Sequence, residues 1–372
     1  MFFKKIIRQL YNVKGWHTDR KFVIIESDDW GSIRMPSKQI YEKLLCKGFP
    51  VDKDPYSRFD SLESNQDLES LFEILRKHSD SNGNCPVITA NTIMANPDFE
   101  KIRINGFSTY FYEPFTGTLE RYASHDRVLS LYHEGIKEGI FHPQLHGREH
   151  LNIAQWMSAL KSIEGLPLRQ IFDYEAFGIN VKGLKSKRNN LMAALDYEYK
   201  KDLDLILQSM KEANDLFFKI FNYHSKTFIA PCYVWDHNIE NCLNNLGVIA
   251  LQGIPYQYIP KVNSVSYGKA LHYTGQKNKL GQTYLVRNVF FEPSLDPKID
   301  WVSESLMRIE EAFKGKKPAI IGSHRLNYIG YMDTNNRNNN LKLFDNLLSN
   351  IIMKWPSVEF ITSDQLIGIM KS

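Results

Sequence analysis

The sequence predicts an α/β protein, a (β/α) barrel, and three observations predict it. Short apolar runs alternate with amphipathic stretches from one end of the chain to the other. Several of those runs lack polar alternation, as strands buried on both faces of a parallel sheet require. About eight strand–helix units follow one another, which favours closure over an open sheet.

The strand candidates are Phe22–Asp29, Val87–Asn91, Ile140–His146, Thr227–Tyr233, Val248–Gln252, Thr283–Phe291, Ala319–His324 and Val358–Thr362. Between them, Ser37–Lys47, Gln66–Lys77, Ile153–Ile163, Leu203–Phe221, Val302–Phe313 and Leu341–Lys354 carry helical periodicity. In the long one, Leu203, Leu207, Met210, Leu216, Phe217, Ile220 and Phe221 keep the 3.6-residue spacing. No composition shift divides residues 21–372, so they read as one domain with insertions at 164–200 and 254–282. The second insertion carries Tyr256, Tyr258, Tyr267, His272 and Tyr273. These suit stacking on sugar faces or anchoring of the loop itself.

An apolar fraction of 43% is that of a globular core. The net charge of +4 is spread among interleaved acids, so no nucleic-acid footprint is expected. Cys46, Cys85, Cys232 and Cys242 form no paired spacing, which fits reduced thiols and a cytoplasmic protein. Residues 1–20 hold a basic amphipathic segment, with Phe2, Phe3, Ile6, Ile7, Leu10 and Tyr11 opposite Lys4, Lys5 and Arg8. Such a segment packs on its own domain or makes peripheral contact with an anionic membrane.

Chemistry gathers at the strand ends. Asp28 and Asp29 close the first run, and two adjacent carboxylates leaving a buried strand call for a cation or a proton between them. His142, His146 and His150 recur at every fourth residue in Phe141–His150, and a histidine pair with one carboxylate gives zinc three ligands and an open position. Asp29 is the candidate carboxylate. The stretch His146–His150 also spells H-x-x-E-H, a metalloprotease pattern, but Gly147 and the preceding strand-like residues oppose the helix that it needs.

With those residues in place, the chain resembles the polysaccharide deacetylases of the NodB-homology type, metal-dependent carbohydrate esterases on a distorted (β/α) barrel. Glu26-Ser27-Asp28-Asp29 followed by Trp30-Gly31 looks like their T-F-D-D-G motif, which implies Asp28 as general base and Asp29 as metal ligand. His142-Pro143-Gln144-Leu145-His146 looks like H-[ST]-x-x-H, which implies His142 and His146 as the other ligands. Ala230-Pro231-Cys232-Tyr233-Val234 is half of R-x-P-Y-G, with the Tyr233 amide implied at the oxyanion. Ile320-Ile321-Gly322-Ser323-His324 resembles the late L-L-H motif and implies His324 as general acid.

The family arginine that orients the base is replaced by Ala230; Arg34, Arg148 and Arg325 are candidates to stand in for it. Asp236, Glu292 and Asp300 are candidates to orient His324. Trp30 and Asn91 are placed at the substrate or in packing, and Arg325, Asn327 and Tyr328 in the site. Cys232 reads as a small buried residue. The resemblance implies a divalent metal, Zn2+, and removal of an N- or O-acetyl group from a sugar or polysaccharide precursor in surface-polysaccharide synthesis. The rival readings are a two-carboxylate glycoside hydrolase and a glycan-binding barrel without turnover.

Overall fold

Ten residues, Lys21–Trp30, form the central strand β1, and both of its faces are buried. Val23 and Ile25 join the large core between the sheet and the helices. Phe22 and Ile24 point the other way, into a smaller cluster with Ala250, Leu285, Ile320, Leu366 and Ile367. That division explains the unbroken apolar run. The computed structural model describes residues 14–179, 181 and 188–371, so most of the N-terminal amphipathic segment lies outside the described residues.

The other strands of its sheet follow as β2 (Ile88–Ile93), β3 (Phe141–Gly147), β4 (Thr227–Ile229), β5 (Ala250–Gly253), β6 (Thr283–Val286), β7 (Val289–Phe290), β8 (Ala319–His324) and β9 (Val358–Phe360). They form one sheet in the order β6-β5-β4-β3-β2-β1-β8-β7, with β9 also on β1. Every pairing is parallel. The two ends of that order are consecutive pieces of one extended run. β6 pairs with β5, the Arg287 N–H reaches Gly253 O, and the Asn288 N–H then reaches Ile320 O as β7 joins β8. Thr283–Phe290 therefore changes neighbours in mid-course and bridges the seam of a distorted (β/α) barrel.

Helices pack around the sheet where the periodicity placed them: Lys38–Cys46, Asn65–Arg76, Ile153–Lys161, Asp202–Phe221, Trp301–Lys314 and Thr334–Lys354. Capping explains several starts. Ser64 and Asp67 form a reciprocal capping box, and Asp236 and Asp300 accept from the first-turn amides of their helices. The Thr227–Tyr233 candidate is shorter than expected. It ends at Ile229, and Pro231–Tyr233 form a tight turn with Cys232 and Tyr233 at φ +55° and +58°.

The second insertion folds into an antiparallel hairpin, Tyr256–Ile259 with Gly268–Leu271. Its Tyr267 hydroxyl donates to Asp196 at 3.0 Å, and Arg188 bonds Asp196, Lys261 O and Ser264 O. Tyr267 thus ties one insertion to the other.

Gly135, in the helix Val128–Glu138, shows how closely this layer packs. A Cβ there would lie 2.7 Å from Phe141 Cβ and 2.8 Å from Phe72 Cζ. Alanine is the better helix former, yet Gly135→Ala should destabilise the protein by about 1–3 kcal/mol through overpacking. Chemical denaturation checks this, and a gain in stability would contradict the packing.

Candidate functional site

Asp28 and Asp29 are adjacent, and on a regular strand they would point to opposite faces. The β1–β2 register shifts between Ser27 and Trp30, and Asp29 takes φ +77°. This irregularity turns both carboxylates into one site. Gly31 follows at φ +79°, where a Cβ would meet Ile93 O at 2.4 Å, so this turn requires glycine.

Asp29 meets two imidazoles. His146 Nε2 lies 3.4 Å and His150 Nε2 3.5 Å from Asp29 Oδ1, and the three candidate donor atoms fall within 4.8 Å of one another. His146 Nδ1 is 2.8 Å from Ile229 O, a pure acceptor, so Nδ1 carries a proton and Nε2 is the nitrogen turned toward Asp29. Burial pushes the His150 imidazole down to about 3, against the pull of Asp29, and leaves it neutral. Burial, the largest single influence on Asp29, opposes its ionisation, but Arg34 together with the neighbouring histidines outweighs it and holds the carboxyl well below its usual range. Arg34 Nη2 donates to Asp29 Oδ2 at 2.7 Å, and buried Oδ1 has no hydrogen-bond partner. Two imidazoles thus face one orphaned carboxylate oxygen.

The histidine pair that could hold a metal is offset from the expected one. His142 sits at the start of β3, paired in register with Thr89, and lies 3.3 Å from Asp364 and stacked on Tyr223. Residues 142–146 continue as strand, where four residues span about 13 Å, so His142 and His146 cannot share an ion. After His146 the chain leaves the strand, with Gly147 at φ +129°, and the same spacing brings His150 back.

Asp28 is gripped from the seam. Arg287 Nη1 and Nη2 donate to its two oxygens at 2.7 Å each, Arg287 Nε donates to Glu26 at 2.6 Å, and Asn91 Nδ2 adds 2.7 Å to Asp28. Burial alone would raise the Asp28 carboxyl, but Arg287 overrides it and holds it at about 2. Arg287, absent from the three candidates, is the arginine that orients this acid. It was legible only as a lone charge in the apolar run Thr283–Phe291.

His324 Nε2 stands 3.8 Å from Asp28, and His324 Nδ1 pairs with Glu292 at 2.6 Å. Burial lowers this imidazole, yet Glu292 outweighs it and brings the group up to about 9. Of the three acids considered, Glu292 is the one in place. Asn327 donates to its other oxygen at 2.7 Å.

Asp28, His146, His150, His324, Arg34 and Tyr233 line a cavity of about 330 Å³, to which Gly178 and Met192 of the first insertion also contribute. Three expected contacts lie elsewhere. Trp30 is buried, donating to Ser27 at 3.0 Å and packing edge-on against Phe141. Arg325 is fully buried between Asp60 and Glu63, a support behind the site. The Tyr233 N–H is committed to Ala230 O at 2.9 Å, which leaves its side chain to face the cavity. Glu149 pairs with Arg148 at 2.7 Å, and His146–His150 is not helical, so the protease pattern is not formed.

Among solved structures, the chain is similar to a putative polysaccharide deacetylase from Mycobacterium smegmatis, at 9% identity over 96% of this chain and 93% of that one, with a TM-score of 0.42. A probable polysaccharide deacetylase from Pseudomonas aeruginosa PAO1 is similar at 8% identity over 93% and 90%, with a TM-score of 0.44. A 4-alpha-glucanotransferase from Thermococcus litoralis is also similar, at 12% identity and a TM-score of 0.46; 94% of this chain is covered, and the chain spans 40% of that protein. No family model matches the sequence, and no curated protein matches it.

The His324–Glu292 pair sets a pH dependence. The imidazole keeps its proton at neutral pH and loses it as pH rises through about 9. Removing the Glu292 charge takes away the raising influence, so Glu292→Gln should move that midpoint to lower pH. NMR titration of the His324 ring measures it, and an unchanged midpoint would contradict the pairing.

Proposed function

We propose that this protein is a divalent-metal-dependent hydrolase that removes an N- or O-acetyl group from a sugar unit of a polysaccharide or its precursor. The observation that carries this reading is the convergence of His146 and His150 on Asp29 at the wall of a cavity that the two histidines, Asp28 and His324 line. Charge supports it. Six buried carboxylic acids (Glu26, Asp28, Asp29, Asp60, Glu63 and Glu292) face four cations (Arg34, Arg287, Arg325 and protonated His324), a formal excess of two acids, of which burial raises only Asp60 as far as about 6 toward sharing a proton. Uncompensated charge in such a place is costly, and a divalent ion matches the deficit. The orphaned Asp29 Oδ1 and the two imidazoles are a donor set that fits Zn2+.

A zinc ion held there would supply Lewis acidity toward an acyl carbonyl and toward water. The chain's own groups do the rest. Asp28, ionised and fixed by Arg287 and Asn91, takes the proton of the attacking water. His324, charged because of Glu292, gives a proton to the departing amine or alcohol oxygen. A two-carboxylate glycosidase would need one acid held protonated. Asp28 and Asp29 are both held ionised, the reverse of that requirement.

The test is acetate release from acetylated sugars by metal-loaded protein, with metal content measured alongside. Asp29→Asn and His150→Ala should lose the metal, and His142→Ala should keep it. Asp28→Asn should keep the metal but lose about 10²–10⁴-fold in turnover, as a missing general base does. Metal retained without acetate release from any acetylated sugar would favour a glycan-binding barrel instead.

A further inference from the structure

Acyl transfer needs a donor for the negative charge that develops on the carbonyl oxygen. The backbone donor expected for that task, the Tyr233 N–H, is already spent on Ala230 O. The cavity wall offers another. Three buried arginines surround the site, and two of them use every arm of the guanidinium. Arg287 bonds through Nε, Nη1 and Nη2 to Glu26 and Asp28. Arg325 bonds through the same three atoms to Asp60 and Glu63.

Arg34 differs. Its Nη2 holds Asp29 Oδ2 at 2.7 Å and its Nε lies 3.3 Å from Asp60, but none of the hydrogen bonds among the described residues uses Nη1. Of the three, Arg34 is the one that lines the cavity with Asp28, His146, His150 and His324. Its guanidinium stacks 4.4 Å over Tyr56, whose ring meets His324 edge-on at 5.3 Å. One end of the fork is thus pinned by a carboxylate and the plane is fixed by an aromatic face. A group held in this way pays little reorganisation when charge appears beside it.

We propose that Arg34 is a catalytic residue of the deacetylation reading above, its Nη1 donating to the acyl oxygen as that oxygen becomes an oxyanion. The water oxygen bonds to the acyl carbon, its proton passes to Asp28, and the carbonyl π pair moves onto the oxygen that Arg34 faces. Collapse returns that pair and breaks the acyl carbon's bond to the sugar nitrogen or oxygen. The leaving atom takes the bond pair and a proton from His324. The products are a free amine or hydroxyl and acetic acid, whose remaining proton passes to water to leave acetate.

Arg34→Lys separates this role from the structural one, because lysine keeps a cation for Asp29 and has no second arm. We expect it to fold, to retain its metal and to keep KM within a few-fold, while kcat falls by about 10²–10³, the usual loss of an oxyanion donor. A kcat equal to wild type would overturn the proposal. A second measurement needs no variant: a crystal of the metal-loaded wild-type protein with acetate should place an acetate oxygen within hydrogen-bond distance of Arg34 Nη1. Acetate bound in the cavity away from Nη1 would overturn it equally. Failure of the deacetylation reading looks different, since the wild-type protein would then release no acetate from any acetylated sugar.

Discussion

The grip of Arg287 on Glu26 and Asp28 is the interaction on which the rest depends. Arg287 stands between the two strand pieces that bridge the barrel seam, and its side chain reaches the central strand on the far side of β8. Closure of the barrel and placement of the acid are therefore one event. Two buried carboxylates cannot sit on β1 without a cation, and the seam delivers it. The guanidinium is planar and uses both arms on Asp28, so it fixes orientation as well as charge.

A second network mirrors the first on the other side of the bulge. Asp29 is held by Arg34, Arg34 meets Asp60, Asp60 pairs with Arg325, and Arg325 reaches Glu63, which also accepts from Tyr132 and from the Gly31 N–H. Each acid in the chain is shared by neighbours, and the run ends on backbone and phenol. The strained turn at Asp29 and Gly31 is stabilised by this bonding, as positive φ at a non-glycine residue requires. Each network sends one member to the cavity, Asp28 from the first and Arg34 from the second.

Much of this was legible in the sequence. The unbroken run Phe22–Ile25 announced a central parallel strand, the abrupt Asp28-Asp29 called for a cation or a proton, which the structure meets with Arg287 and Arg34, and the histidine spacing pointed to the stretch that supplies two imidazoles. The choice between His142 and His150 was not legible from spacing alone, because His146 stands four residues from each. Strand geometry decides it, since residues four apart in a strand are too distant to converge. Arg287 lay beyond reach for another reason. It acts through the seam on residues about 260 positions away, and sequence separation carries no sign of such a contact, whereas Glu292 was one of three candidate acids that sequence could not rank. The departure of Ala230 from the family pattern signalled that an arginine must come from elsewhere without saying from where.

The account turns on where a metal sits. A crystal of the protein grown with zinc, with anomalous data on both sides of the zinc edge, tests that most directly. One strong peak bonded to Asp29, His146 and His150, with His142 remote from it, is the predicted result. A peak at His142 and Asp364, or none within the cavity, would contradict the account.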